Sequence, residues 1–362
     1  MTNERSATGG SSAAVPPLFS ILVPVYNVRR YLEETFRSIV DQTFSDYEVV
    51  LVDDGSTDGS GDMCDAFAAG HGAVSVLHQE NKGLLLARRA ALARARGSYI
   101  VTLDADDALR SDALEWLAGV IKDHHPDIIA FAYTRARDYR MFGPSRLDMT
   151  AGYYEGEGYK VFQSVVCRGK HNNIWGKCYK REIADIDTDY SMHKGLTHAE
   201  DLLQLVPLAQ SARSFYYLDE ALYYYRPNPD SSTASYKGKQ LEDLSVALGS
   251  LLDYAGSLGQ PYLDEARRGA LMQISYLIHI LVMSHISDND KFVQLESIRA
   301  YAMRAELFGP WCRDLRLDKK IEMRALEGGN VRSLCKIVQA LMLVKRARDR
   351  RSGALDGGDN VG

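Results

Sequence analysis

The 362-residue chain carries 43 Lys and Arg against 48 Asp and Glu, a net charge of −5 at neutral pH, and 46% apolar residues. That length suits one large domain with an appendage, and a chain of this size can bury a full core. The slight acidity argues against a general nucleic-acid binder, while five scattered cysteines with no C-x-x-C pair argue for a reducing compartment over a disulfide framework or zinc site.

The opening MTNERSATGGSSAAVPP is rich in Ser, Ala and Gly and has no apolar core, so residues 1–18 read as a disordered lead-in and not as a signal peptide. FSILVPVYN (19–27) predicts a strand, with Asn27 placed to cap a helix whose Leu32, Phe36, Ile39 and Val40 share one face. YEVVLVDDGSTD (47–58) predicts a strand running into a turn, followed by a helix over 62–70. AVSVLHQE (73–80) predicts a strand, Gly83–Arg96 a helix and SYIVTLDADD a strand. Strands and helices alternating at this spacing predict a mainly parallel α/β sheet, in which ligands collect beyond the carboxyl ends of the strands. Three such ends carry polar residues: Tyr26-Asn27, Asp53-Asp54 and Asp104-Ala105-Asp106.

From about Tyr236 the pattern becomes helical, with breaks near Gly259, Ser287, Gly309 and Gly328. GALMQISYLIHILVMSHI (269–286) reaches the minimum length for a membrane span, but Gln273, Ser275, His279 and His285 lie inside it and predict a buried helix. The last helix, SLCKIVQALMLVKRARDRR (333–351), ends in clustered Lys and Arg. That pattern fits either a peripheral membrane contact or a docked helix with a solvated basic end. The expected division is an α/β domain over 19–235, a helical domain over 236–351 and a disordered tail over 352–362. The nine histidines show no metal-ligand grouping.

Asp104, Asp106 and Asp107 place three carboxylates inside four positions. A D-x-D pair at a strand end suits an oxygen-preferring Mg²⁺ or Mn²⁺, which takes few protein ligands and completes its shell with phosphate oxygens. By itself that pattern also fits an acidic turn.

Four segments occur in order at the ends of successive units: FSILVPVYN, VLVDDGSTDGS, ENKGLLLARRAAL and YIVTLDADDAL. This series resembles the family 2 glycosyltransferases, which have the nucleotide-sugar-binding GT-A fold. The resemblance covers about 19–135 and resumes at NNIWGKCYKREI (172–183), HAEDLLQLVPLA (198–209) and YYYRPNPDSST (223–233). It implies that Pro24 and Tyr26 lie along a nucleobase and that Asp54, with Asp53 as the adjacent alternative, accepts a hydrogen bond from a base imide. That acceptor favours a UDP-sugar. Arg88, or its neighbour Arg89, would help fix the nucleotide. Asp106 would bind the metal directly, Asp104 would hold the ribose or the metal's water shell, and Asp107 would support the turn or cap the next helix. Arg226 would reach the diphosphate. Asp201 would be the base that deprotonates an acceptor hydroxyl, oriented by Glu200, and Trp175 and Lys177 would line the acceptor cleft.

Each role has a plainer counterpart. Asp53 and Asp54 could cap a turn, Trp175 could be a core residue, Arg226 could pair with a surface carboxylate, and Glu200 and Asp201 could complement a helix macrodipole. A phosphohydrolase of the haloacid-dehalogenase type also uses D-x-D, but it places the motif on the first strand and usually has Thr or Val where this chain has Ala108. A nucleotidyltransferase would need a Gly-rich phosphate loop, which LVPVYNVRR does not contain. A non-catalytic sugar-nucleotide-binding subunit remains the alternative of a different class. The Q-x-x-R-W motif and transmembrane helices of processive relatives are not found in the sequence. The expectation is an inverting, non-processive, metal-dependent transferase acting on a glycan or lipid-linked glycan, cytoplasmic or peripheral at the inner face of the membrane, with homo-oligomerisation open.

Overall fold

The computed structural model describes residues 15–139, 147, 149–227 and 236–351. The expected tail and most of the expected lead-in lie outside the described residues, as do the Asn228–Thr233 end of YYYRPNPDSST and the side chains of 345–351.

Three strand–helix repeats and a fourth strand open the described chain: β1 (Phe19–Val25), α1 (Arg29–Val40), β2 (Tyr47–Asp53), α2 (Ser60–Gly70), β3 (Val74–His78), α3 (Leu84–Arg94) and β4 (Tyr99–Thr102). After them come β5 (Ala108–Leu109), α4 (Ala113–His124), β6 (Ile128–Thr134), β7 (Gly152–Glu155), α5 (Tyr159–Cys167), β8 (Lys177–Lys180), α6 (Glu200–Ser211) and β9 (Ser214–Tyr224). Among the described residues these strands form one nine-stranded sheet in the order β3-β2-β1-β4-β8-β6-β9-β5, with β7 also paired to β9. The β1–β4 half is parallel, as expected. The other half is mixed, because β8 inserts antiparallel between β4 and β6.

Both faces of β1 are covered, which is why FSILVPV is an unbroken apolar run and not an alternating one. Ile21, Val23 and Val25 pack with Leu32, Phe36 and Ile39 of α1 and Leu114 and Leu117 of α4. Leu22, Val50 and Val52 face the other side, under Leu85 of α3 and Leu202 and Leu205 of α6. Val40, expected on the buried face of α1, is 41% exposed because the helix ends there. Asn27 does not cap α1. Its left-handed backbone (φ 52°) turns the chain, and the free amides of Val28 and Arg29 are met by Ser60 Oγ at the start of α2 and Asp58 Oδ2 of the β2–α2 loop. The first two strand-end loops are thereby tied together, with the Asn27 carboxamide accepting from Thr57 N.

The remaining helices are α7 (Gln240–Leu258), α8 (Gln260–Met283), α9 (Asp288–Arg304), α10 (Leu317–Glu327) and α11 (Val331–Arg351). They share a core with the sheet, since one cluster of buried side chains runs from Val50 and Ile100 through Leu205 to Leu251, Ile278 and Leu326. The 269–286 segment is the buried helix α8, and no helix among the described residues is long and apolar enough to cross a membrane. Gly269 lets α8 approach α5: a Cβ there would lie 2.6 Å from the Arg168 carbonyl oxygen. His279 bonds Glu322 of α10 at 3.1 Å, and His285 lies beyond the end of α8.

Candidate active site

Strand register brings the three polar strand ends level. Val25 pairs with Asp53, and Leu22 pairs with Thr102, so Asp104 extends two residues further to the height of Pro24. Pro24 is buried within β1, whereas Tyr26, just past its end, is 50% exposed and leaves an aromatic face open.

Asp53 and Asp54 are both buried and both occupied. Asp53 accepts from Ser56 N (3.0 Å) and pairs with His78 Nδ1 (2.9 Å), while His78 Nε2 reaches Asp65 (2.9 Å). Burial opposes ionisation of Asp53, but the Ser56 and His78 hydrogen bonds outweigh it and hold the carboxyl below its ordinary value. Gly61 makes room for it, since a Cβ there would sit 2.7 Å from Asp53 Oδ2. The Asp54 oxygens accept from Gln79 Nε2 (2.6 Å), Lys82 N (2.9 Å) and Gly83 N (2.8 Å). Asp54 therefore anchors the β3–α3 loop. Its side chain, expected against a nucleobase, is spent on that loop.

The DADD turn is held from below. The buried Tyr223 hydroxyl accepts from Asp104 N (3.1 Å) and donates to Asp107 Oδ2 (2.8 Å), while Arg226 N donates to Asp107 Oδ1 (2.8 Å). Thr35 Oγ1 lies 3.0 and 2.8 Å from the carbonyls of Ala105 and Asp107. Burial, with the charges of Asp106 and Asp104, pushes Asp107 well above the usual carboxylate range. It supports the turn and does not cap α4. Arg226, expected to reach a diphosphate, instead donates to the Asp106 carbonyl (2.6 Å) and to Glu34 (2.7 Å), with Tyr31 and Tyr224 against its guanidinium. Glu34 carries no sequence signal that would have singled it out.

Asp104 and Asp106 stay half-buried, with Asp107 withdrawn. Among the described residues no group of three or more His, Cys, Asp or Glu is placed to hold a metal. Two hard oxygen donors at an open strand end nonetheless fit a divalent cation that takes its other ligands from phosphate and water.

The second acidic cluster is built at the start of α6. Ala199 adopts a left-handed conformation (φ 62°), a strained state for a residue with a Cβ, and turns the chain so that Glu200 and Asp201 open the helix. The preceding Thr197 is bonded through N (2.9 Å) and Oγ1 (3.2 Å) to Asp243 of α7, so the helical region braces this loop. Arg88, 3% exposed on α3, joins the two sides: its guanidinium donates to Asp104 Oδ1 (2.7 Å) and to Asp201 Oδ1 (2.5 Å). Burial and the charge of Asp201 push Glu200 up to about 7, against the pull of Arg88. Burial also raises Asp201, with Arg88 opposing. Arg89 faces elsewhere, over the Tyr190 ring and toward the Thr188 carbonyl.

Trp175 and Lys177 stand behind this wall. Trp175 is stacked on Tyr223 and Tyr225 at centroid distances of 4.7 and 5.2 Å and is 9% exposed. Lys177 is buried, with its ammonium on the carbonyls of His171 (2.6 Å) and Asn173 (2.5 Å), and burial lowers it to about 7. Neither side chain presents an open face to a cleft.

The profile of glycosyl transferase family 2 matches residues 20–182, from β1 through β8. The likeness to glycosyl transferase family 2 lies in these residues, a little under half of the chain. The uncharacterized glycosyltransferase EpsJ of Bacillus subtilis is 32% identical over 218 residues, 60% of this chain and 63% of EpsJ. The putative teichuronic acid biosynthesis glycosyltransferase TuaG of B. subtilis is 41% identical over 100 residues, 27% of this chain and 40% of TuaG. The match thus spans less than two thirds of either relative. The crystal structure of S. aureus TarS 1–349 in complex with UDP aligns over 95% of this chain and 94% of that one, with a TM-score of 0.67 and 18% identity. At that identity the likeness shows the fold, which is the expected GT-A architecture with helices following it.

Proposed function

We propose that this chain is an inverting, non-processive glycosyltransferase that moves a sugar from a UDP-sugar to a hydroxyl of a glycan or lipid-linked glycan in wall or surface polysaccharide synthesis. The observation that carries the reading is the Arg88 bridge, which sets the D-x-D acid Asp104 and the α6 acid Asp201 on opposite sides of one guanidinium. A donor acid and a base of raised pKa across one pocket are what direct displacement at an anomeric carbon needs. The UDP complex of the structural neighbour and the teichuronic acid biosynthesis in the name of a relative support the donor and acceptor classes.

In this reading Tyr26 offers a stacking face to the base of the nucleotide. Asp106 and Asp104 hold Mn²⁺ or Mg²⁺, which when bound stabilises the charge of the departing diphosphate. Asp201 takes the proton of the acceptor hydroxyl, and Glu200 beside it, raised to about 7, leaves the pair fully proton-accepting only above neutral pH. Attack from the face opposite the diphosphate gives a β-linked product from an α-linked donor. Trp175 and Lys177 act as supports of the acceptor wall. The proposed location is the cytoplasmic side of a membrane, with the end of α11 as a peripheral contact: Leu343 and Val344 are 66% and 67% exposed just before the basic run 345–351.

The test is calorimetric titration of UDP into the intact chain with and without Mn²⁺, for the unaltered protein and Asp106→Ala. Mn²⁺ should strengthen binding, and the substitution should remove that enhancement. UDP binding that ignores both the metal and the substitution would overturn the metal assignment.

A further inference from the structure

Arg88 was expected to contact nucleotide, yet both of its terminal nitrogens are committed to carboxylates, and these come from different walls of the site. Its Nε is buried and has no partner, so the group does not close as a fork on either acid. The helix that carries it is anchored to the same two walls. Gly83 N at the start of α3 donates to Asp54, and the Lys82 carbonyl accepts from Gly195 N in the loop that leads to Asp201.

We propose that Arg88 is a positioning residue that orients Asp201 and couples it mechanically to the donor-site acid Asp104. This deepens the proposed function and rests on it for the roles of the two acids. With Asp201 Oδ1 drawn toward Arg88, Oδ2 is the oxygen offered to an acceptor hydroxyl, so the base is oriented by a third group. Because one rigid guanidinium serves both acids, a change in how Asp104 is engaged alters the pull on Asp201. The coupling is reciprocal, since linkage between two sites acts equally in both directions. A lysine could supply the charge but not two divergent donors in a fixed plane.

The bridge is tested on the full chain by urea unfolding of Asp104→Asn, Asp201→Asn and the double substitution, each with Arg88 and with Arg88→Gln. With Arg88 present, either acid alone still pairs the buried cation, and losing both strands it. The double variant should therefore lose more midpoint than the two singles summed, by roughly 0.3–0.5 M urea. With Arg88→Gln the excess should shrink to the smaller one that repulsion between the bare carboxylates leaves, which has the same sign, and an undiminished excess would also overturn the bridge. Additive losses in both backgrounds would overturn the bridge.

A binding readout separates positioning from scaffolding. In Asp201→Asn the freed guanidinium can close on Asp104, so UDP affinity in Mn²⁺ should fall about fivefold. In the Arg88→Gln background the same substitution should leave affinity unchanged, and Arg88→Lys should behave like Arg88→Gln. An equal fall in both backgrounds would refute coupling through Arg88. Failure of the unaltered chain to bind UDP would refute the donor assignment instead, and the unfolding cycle would then decide the bridge.

Discussion

Tyr223→Phe removes one oxygen atom from beneath the DADD turn. That hydroxyl is buried, accepts from Asp104 N at 3.1 Å and donates to Asp107 at 2.8 Å, so the substitution leaves a backbone amide and a carboxyl oxygen without these partners. The ring and its stacking on Trp175 are retained, so packing loss is small. An orphaned buried polar group costs about 1–3 kcal/mol. Asp107 keeps its bond from Arg226 N, which softens the second loss and places the total near 2–3 kcal/mol. Urea unfolding should show that loss. Because the same hydroxyl fixes the backbone of Asp104, UDP binding in Mn²⁺ should weaken as well. The effects of Tyr223→Phe and Asp107→Asn should not add, since both break one network. An unfolding midpoint and UDP affinity both unchanged by Tyr223→Phe would refute the claim that this hydroxyl holds the turn.

Three further outcomes are expected. His78 is raised by its hydrogen bonds to Asp53 and Asp65, so its contribution is full below its unfolded pKa and lost as pH rises through the higher folded value. With His78 nearly half-exposed, His78→Gln should cost less than about 1 kcal/mol at pH 5.5 and nothing at pH 9, read by unfolding at the two pH values. The acid limb of the rate profile, measured with whichever UDP-sugar is turned over, should fall near neutrality, where burial and Asp201 place Glu200, and should move in Glu200→Gln. A limb near pH 4 would reject that pair as the titrating base. Lys177→Met would leave the carbonyls of His171 and Asn173 without the ammonium that holds them, costing about 2–4 kcal/mol in unfolding with UDP affinity unchanged. A comparable loss of UDP binding would refute a purely supporting role for Lys177.

The amino-acid sequence by itself determined the repeating strand–helix units of the first half, the helical second half and the strand ends on which Tyr26, Asp53 and Asp104 stand. Those features are periodic, and periodicity is written in neighbours a few positions apart. The motifs in order carried the family, because each is a short contiguous stretch at a strand end. Tertiary structure decided which charged groups pair. Arg88 meets Asp104 and Asp201 across separations of 16 and 113 residues, and Arg226 meets Glu34 across 192. No local pattern selects those partners among so many acids. Burial decided the rest. Asp54 became an internal acceptor, and Trp175 and Lys177 moved behind the wall they were expected to form. Whether a polar side chain faces solvent or packed neighbours depends on what the fold lays over it, and here that includes β8, inserted antiparallel between two strands that come well before it in the chain.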